Sequence, residues 1–250
     1  MISSRTRRLA LGVVLVAGIA ATLSAQGRRG APPSAGARSG TLERATIAGT
    51  DATIYLPPSY ATDAARRFPV VYVISERPID AAKDAADKLA AAPGFSEPIV
   101  VMSDMPVDNA VADIDKRYRT LAARISRGLA GYAVGGDAAL KLAMKRADVF
   151  SSLYLLSASI VDATLSAVDG DAANLQRFYG ISISVGTRDA PLPVNRRLHD
   201  AMTRLRIAHY YEEFDGAHAE RISERLETRV LPFFSKNLTA PANPTSPAVQ

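Results

Sequence analysis

The stretch "RGLAGYAVGGDAALKLAMKRADVF", residues 127–150, carries three local signals in one line. Its first eight residues, "RGLAGYAV", are a short apolar run of strand type, and "GGDAALKLAMKRADVF" spaces its apolar residues as a helix does. Gly131, Gly135 and Gly136 fall where a sharp strand-to-helix turn needs residues without a Cβ. Ala133 stands in the middle of that turn. A strand passing through a tight turn into a helix is the repeating unit of a parallel sheet, so the reading can be extended in both directions.

Upstream, "TLERATIAG" (41–49) and "DATIYLPPSY" (51–60) alternate β-formers around a Gly-Thr-Asp turn. "FPVVYVIS" (68–75) and "EPIVVMSD" (97–104) are continuous apolar runs, as expected of strands buried on both faces. Between and after them, helical spacing occurs in "DAAKDAADKLAAA" (80–92), stopped by Pro93 and Gly94, and within 110–125. Downstream come strands at 151–159 and 179–187, a helix at 193–207, a strand at 208–216 and a closing helix at 219–238. This alternation predicts an α/β fold with a mostly parallel central sheet, helices on both faces and function at the carboxyl ends of the strands. There is no G-x-G-x-x-G and no P-loop, so nucleotide binding has no support.

The ends read differently. Residues 1–26 begin with Arg5, Arg7 and Arg8, continue in an apolar run from Leu9 and finish in small residues, the pattern of a signal peptide. The run is shorter than the roughly 20 residues that span a bilayer, so a secreted or periplasmic protein is expected, held at the membrane only if the signal stays uncleaved. Residues 27–40, rich in Gly, Pro and Arg, and the Pro-rich tail 239–250 are expected to be disordered. That leaves 41–238 as the folded domain. The net charge of +5 is misleading, because residues 1–38 hold six arginines and no acid, leaving 24 basic against 25 acidic residues. No basic domain is present for nucleic acid to meet. With no cysteine, disulfides, thiolate metal sites and cysteine catalysis are excluded.

Four segments, taken in order, carry a resemblance. "IYLPPSYATDAARRFPVVYVI", "GLAGYAVGGDAALKLAMKRADVFSSLYLLSAS", "SVGTRDAP" and "YYEEFDGAHAERISERLETRVLPFF" together resemble the esterase family of the α/β-hydrolase fold over most of 41–238. That family includes feruloyl and acetyl esterases, enterochelin-type esterases and mycolyltransferases. In it the second segment usually reads Gly-x-Ser-x-Gly-Gly, the turn that exposes a nucleophilic serine. Position by position, the resemblance implies Asp189 as the acid, His218 as the general base and Ala133 in the place of the nucleophile. A methyl group has no lone pair with which to attack an ester. The oxyanion loop departs too: where the family has a Gly-rich segment, this chain has "SERPID" (75–80), in which Glu76 brings negative charge and Pro78 lacks an N–H.

The expectation is therefore a catalytically inactive pseudo-esterase that uses the old pocket for an ester-like or sugar-like ligand or a partner protein. The alternative is an active ester hydrolase working through His-activated water or an unusual nucleophile, with Ser75, Ser157 and Ser159 as the candidates. Tyr132 and Asp137 flank the turn but should point away from Ala133. His199 and His209 are expected in surface or core roles, and no His spacing supports a metal. No cofactor is implied.

Overall fold

The computed structural model describes residues 39–76, 80–104, 109–217 and 220–239. The expected signal segment, Pro78 and His218 lie outside the described residues.

The two alternating runs pair as an antiparallel hairpin, β1 (Thr41–Ile47) and β2 (Thr50–Leu56). Its turn is Ala48–Gly49, one step before the expected Gly-Thr-Asp. Both residues are left-handed, with φ of 48° and 86°, the two-residue geometry whose twist matches that of the strands. A short helix α1 (Pro58–Thr62) leads to β3 (Val70–Ile74); then follow α2 (Ala81–Ala90), β4 (Ile99–Ser103) and α3 (Ala110–Arg117). The decisive stretch forms β5 (Arg127–Tyr132) and α4 (Gly135–Lys145). The chain continues through β6 (Ser152–Leu156), α5 (Asp162–Ala167), α6 (Ala172–Leu175), β7 (Gly180–Gly186), α7 (Leu192–Arg204) and β8 (Tyr210–Phe214). It closes with α8 (Ile222–Arg225), a π-helical turn (Leu226–Val230) and α9 (Leu231–Asn237).

All eight strands join one sheet in the order β1-β2-β4-β3-β5-β6-β7-β8, antiparallel at β1–β2–β4 and parallel from β4 to β8. The fold class is thus the expected one. Strand period two divides the core between two faces. From β3, Tyr72 and Ile74 pack with Ala139, Leu140 and Leu198 on one side; Val71 and Val73 pack with Ala82, Ala86, Leu226 and Phe234 on the other. Because β4 lies on one side of β3 and β5 on the other, the sheet reverses its winding there. The carboxyl ends of β3 and β5 meet at this switch point, which is where such sheets bind ligands.

Three helices differ from the sequence pattern for identifiable reasons. The helical spacing over 110–125 stops at Arg117, because Phe68 takes the Arg119 carbonyl and offers its own carbonyl to the Leu121 N–H. The pattern over 135–150 stops at Lys145; the chain then turns inward so that Ala147 and Phe150 plug the core. In the closing helix Pro232 lacks the N–H of a regular turn, and the preceding turn widens, with the Leu231 N–H reaching the Leu226 carbonyl. At the amino edge of the described domain, the Gly40 N–H donates to the Asp87 carboxylate at 2.7 Å.

Candidate functional site

Ala133 occupies the left-handed region, with φ of 49°. For a non-glycine residue this conformation costs about 1–3 kcal/mol and persists only where the surroundings over-determine it. They do so here. The Ala133 N–H donates to the Leu156 carbonyl at 3.1 Å, and its own carbonyl accepts the N–H groups of Gly136 at 3.0 Å and Ser159 at 2.8 Å. The turn is seated by close approach: a Cβ on Gly135 would lie 2.1 Å from the Ile74 carbonyl oxygen, and one on Gly136 would lie 2.3 Å from the Ala158 Cβ. These two glycines therefore serve packing, and they press the start of α4 onto β3 and onto the segment after β6. Asn195, fully buried on α7, adds a further brace by donating to the Ala158 carbonyl at 2.8 Å. Its role had no sequence signal, since its partner is a backbone atom far along the chain.

The methyl of Ala133 is partly exposed at the carboxyl end of β5. Two strands away, the turn after β7 presents Asp189, which is 6% exposed. One of its carboxylate oxygens, Oδ2, accepts the Gly186 N–H at 2.7 Å and the Ser157 hydroxyl at 2.6 Å. The strand order thus places Ala133 after β5, Ser157 after β6 and Asp189 after β7, at the carboxyl ends of three adjacent strands. His218, expected as the base, lies outside the described residues.

Of the three serines that could substitute as nucleophile, Ser157 has its hydroxyl engaged, and Ser75 and Ser159 are held through their backbone N–H groups. Ser157 is 0% exposed and its hydroxyl proton is directed to Asp189. Ser75 is 5% exposed, and its N–H is taken by the Ser103 carbonyl at 2.9 Å, so that amide is spent within the sheet. Ser159 is half-buried and braces Ala133 through its N–H. Tyr132 turns its ring into the core beside Tyr154 and Leu156, where burial and the Asp189 charge push its phenol pKa up. Asp137 caps the following loop by accepting the Val161 N–H at 3.0 Å and pairs with Lys141 at 2.7 Å. Its carboxyl would be raised by burial, but those partners and Thr164 hold it below the usual range.

Beside the elbow, at the carboxyl ends of β3 and β4, opens a cavity of about 420 Å³ lined by Arg44, Asp51, Ser75, Glu76, Ser103 and Asp104 among others. It abuts the elbow, because the Ser75 amide nitrogen lies 3.0 Å from where a Gly135 Cβ would stand. Glu76 is exposed, and with Asp51 and Asp104 it makes this wall predominantly anionic.

His199 and His209 do come together, which their spacing did not foretell. The His209 Nδ1–H donates to the Ile207 carbonyl at 2.7 Å, which leaves Nε2 to accept from His199 Nδ1 at 2.8 Å, while Tyr211 stacks on the His199 ring. His209 precedes β8 and so lies at the amino ends of the strands, opposite the elbow. Among the described residues, no group of three or more His, Asp or Glu side chains is arranged to hold a metal.

No family model and no curated protein matches the sequence. Solved structures do match in shape. A ferulic acid esterase superposes with a TM-score of 0.69 at 19% identity, covering 79% of this chain and 97% of its own. A serine-to-alanine mutant of the feruloyl esterase module from Clostridium thermocellum, complexed with sinapinate, gives 0.64 at 16% identity over 82% and 92% of the two chains. S-formylglutathione hydrolase from Staphylococcus aureus gives 0.61 at 13%, over 80% and 96%. The eight-stranded sheet, the winding reversal at β3 and these likenesses agree: the chain has the α/β-hydrolase fold of the esterases.

Proposed function

We propose that this protein is an exported, non-hydrolytic member of the esterase group, which binds an ester-like or sugar-ester-like ligand in the cavity beside the Ala133 turn. The observation that carries the reading is Ala133 itself: an alanine held at φ 49° by three backbone hydrogen bonds, in the position from which this fold presents a nucleophile. The scaffold that exposes the attacking atom is intact and the atom is missing. Losing the serine of such a unit costs about 10⁶ in kcat, or roughly 8 kcal/mol of barrier. The buried Ser157 hydroxyl, already bonded to Asp189, and the burial of Ser75 speak against these two as substitutes. The sinapinate complex of the similar Clostridium module, itself a serine-to-alanine mutant, supports binding without that hydroxyl.

The test is hydrolysis of p-nitrophenyl acetate and methyl ferulate by the mature protein, Ala133→Ser and Ala133→Ser/His218→Ala, with ferulate and sinapinate binding to the wild type measured by calorimetry. The expected result is an inactive wild type, activity in Ala133→Ser and its loss in the double variant. Turnover by the wild type that survives Ser75→Ala and falls with His218→Ala would instead assign the chemistry to His-activated water.

A further inference from the structure

We infer that Ser157 is a positioning residue for Asp189, and that together they form a preserved acid half of the site. The structural part of this inference is independent of the functional proposal; its kinetic consequence rests on that proposal.

Ser157 follows β6, between the strand that ends in the elbow and the strand that ends in the acid turn. Its backbone is left-handed, with φ of 47°, and its N–H is fixed to the Ser184 carbonyl at 2.7 Å. For a non-glycine residue this conformation carries strain that the surrounding bonds must hold in place. In the 2.6 Å contact the Ser157 hydroxyl donates to Asp189 Oδ2. The Gly186 N–H converges on the same oxygen at 2.7 Å. Two donors from two strands on one oxygen stop the carboxylate from rotating and leave Oδ1 to serve a different partner. Gly186 is part of the same device: a Cβ there would stand 2.8 Å from Oδ2 and 2.3 Å from the Gly216 carbonyl oxygen, so only glycine lets the acid tuck against β7.

A double-mutant cycle of Ser157→Ala and Asp189→Asn measures whether the two act through each other, and the split between kcat and KM separates positioning from ordinary packing. It is measured twice: by urea unfolding of the native chain, and by kcat and KM in the Ala133→Ser background. In the first, Ser157→Ala should lower the urea midpoint in the parent and shift it by less than half as much once Asp189 is Asn. In the second, Ser157→Ala should lower kcat by about tenfold or more with KM changed less than about twofold, and should have little further effect beside Asp189→Asn. Ser157→Gly relieves the left-handed strain; it should unfold no earlier than Ser157→Ala yet show the same loss of kcat, which covers the case in which the alanine variant folds poorly. An additive unfolding cycle overturns the inference whatever Ala133→Ser does, as does an unchanged kcat in Ser157→Gly. If Ala133→Ser is inactive while the unfolding cycle couples, the functional proposal fails and the Ser157–Asp189 assignment stands.

Discussion

Replacing Gly135 with alanine tests whether close approach holds the elbow in place. The added Cβ would stand 2.1 Å from the Ile74 carbonyl oxygen, 2.5 Å from its carbon and 3.0 Å from the Ser75 nitrogen, all backbone atoms of β3 or its end. None of them can swing aside as a flexible side chain would. To restore an ordinary contact, α4 must retreat from the sheet by roughly 1 Å, although Ala139, Leu140 and Ala143 on that helix are fully buried and already packed. Overpacking of this kind costs up to about 3 kcal/mol. Alanine's better helix propensity returns at most about 1 kcal/mol, so the net loss should be about 2 kcal/mol. For a domain of this size that lowers Tm by about 4–8 °C. The assay is urea and thermal unfolding, with Gly170→Ala as control. Gly170 has only the Ala167 carbonyl within 4 Å of its Cβ position, at 3.7 Å, so that change should be neutral or stabilise by up to about 1 kcal/mol. If Gly135→Ala unfolds within about 0.5 kcal/mol of the wild type, the packing account of the elbow is wrong.

Two further predictions concern polar anchors. Asp87 accepts from Gly40 N–H, Ser39, Tyr55 and Lys83; burial alone would raise its pKa, but these donors hold it below its ordinary 3.8. Its contribution is therefore present above about pH 4 and is lost as the pH falls through the folded value. Asp87→Ala should cost about 1–3 kcal/mol at pH 7, and the gap to the wild type should narrow in unfolding curves below pH 4; a gap independent of pH would count against this account. Arg225, 6% exposed, bonds Ser184 and Glu212 and lies over the Phe214 ring, while Glu212 also pairs with Arg229. Arg225→Met leaves Glu212 with a partner and should cost about 1–2 kcal/mol, whereas Glu212→Gln strands a buried guanidinium and should cost about 3 kcal/mol; the reverse order in urea unfolding would refute the argument.

Much of the fold was legible because its signals are local. Among the described strands all but β8 correspond to an apolar or alternating run, since a strand between two helical layers must be apolar throughout and the β1–β2 hairpin alternates; β8, at the sheet's edge, reads Tyr-Tyr-Glu-Glu-Phe and is mostly exposed or half-buried. What was misread depended on distant partners. The helix over 110–125 is cut short by Phe68, more than 40 residues earlier in the chain, which pairs with Arg119 and Leu121. The short helices α1, α5 and α6 have too few turns to show a period. The turn glycines and Ala133 could be placed between strand and helix by spacing, and Asp189 in the turn after β7 by the resemblance. Ser157 was legible only as a hydroxyl near a strand end, so it was weighed as a nucleophile; its burial and its bond to Asp189 belong to the packing of β6 against β7.

By itself, then, the sequence determined the α/β class, the order of the strands and the longer helices, and an alanine in the turn after β5, because composition, period and residue identity are properties of the chain. Only the tertiary structure decided that Ala133 takes a left-handed conformation in the turn after β5, that Asp189 is held by two donors, and that the Ser157 hydroxyl is one of them. Those facts are distances between residues far apart in the chain, set by which strands lie side by side, and no local pattern carries them.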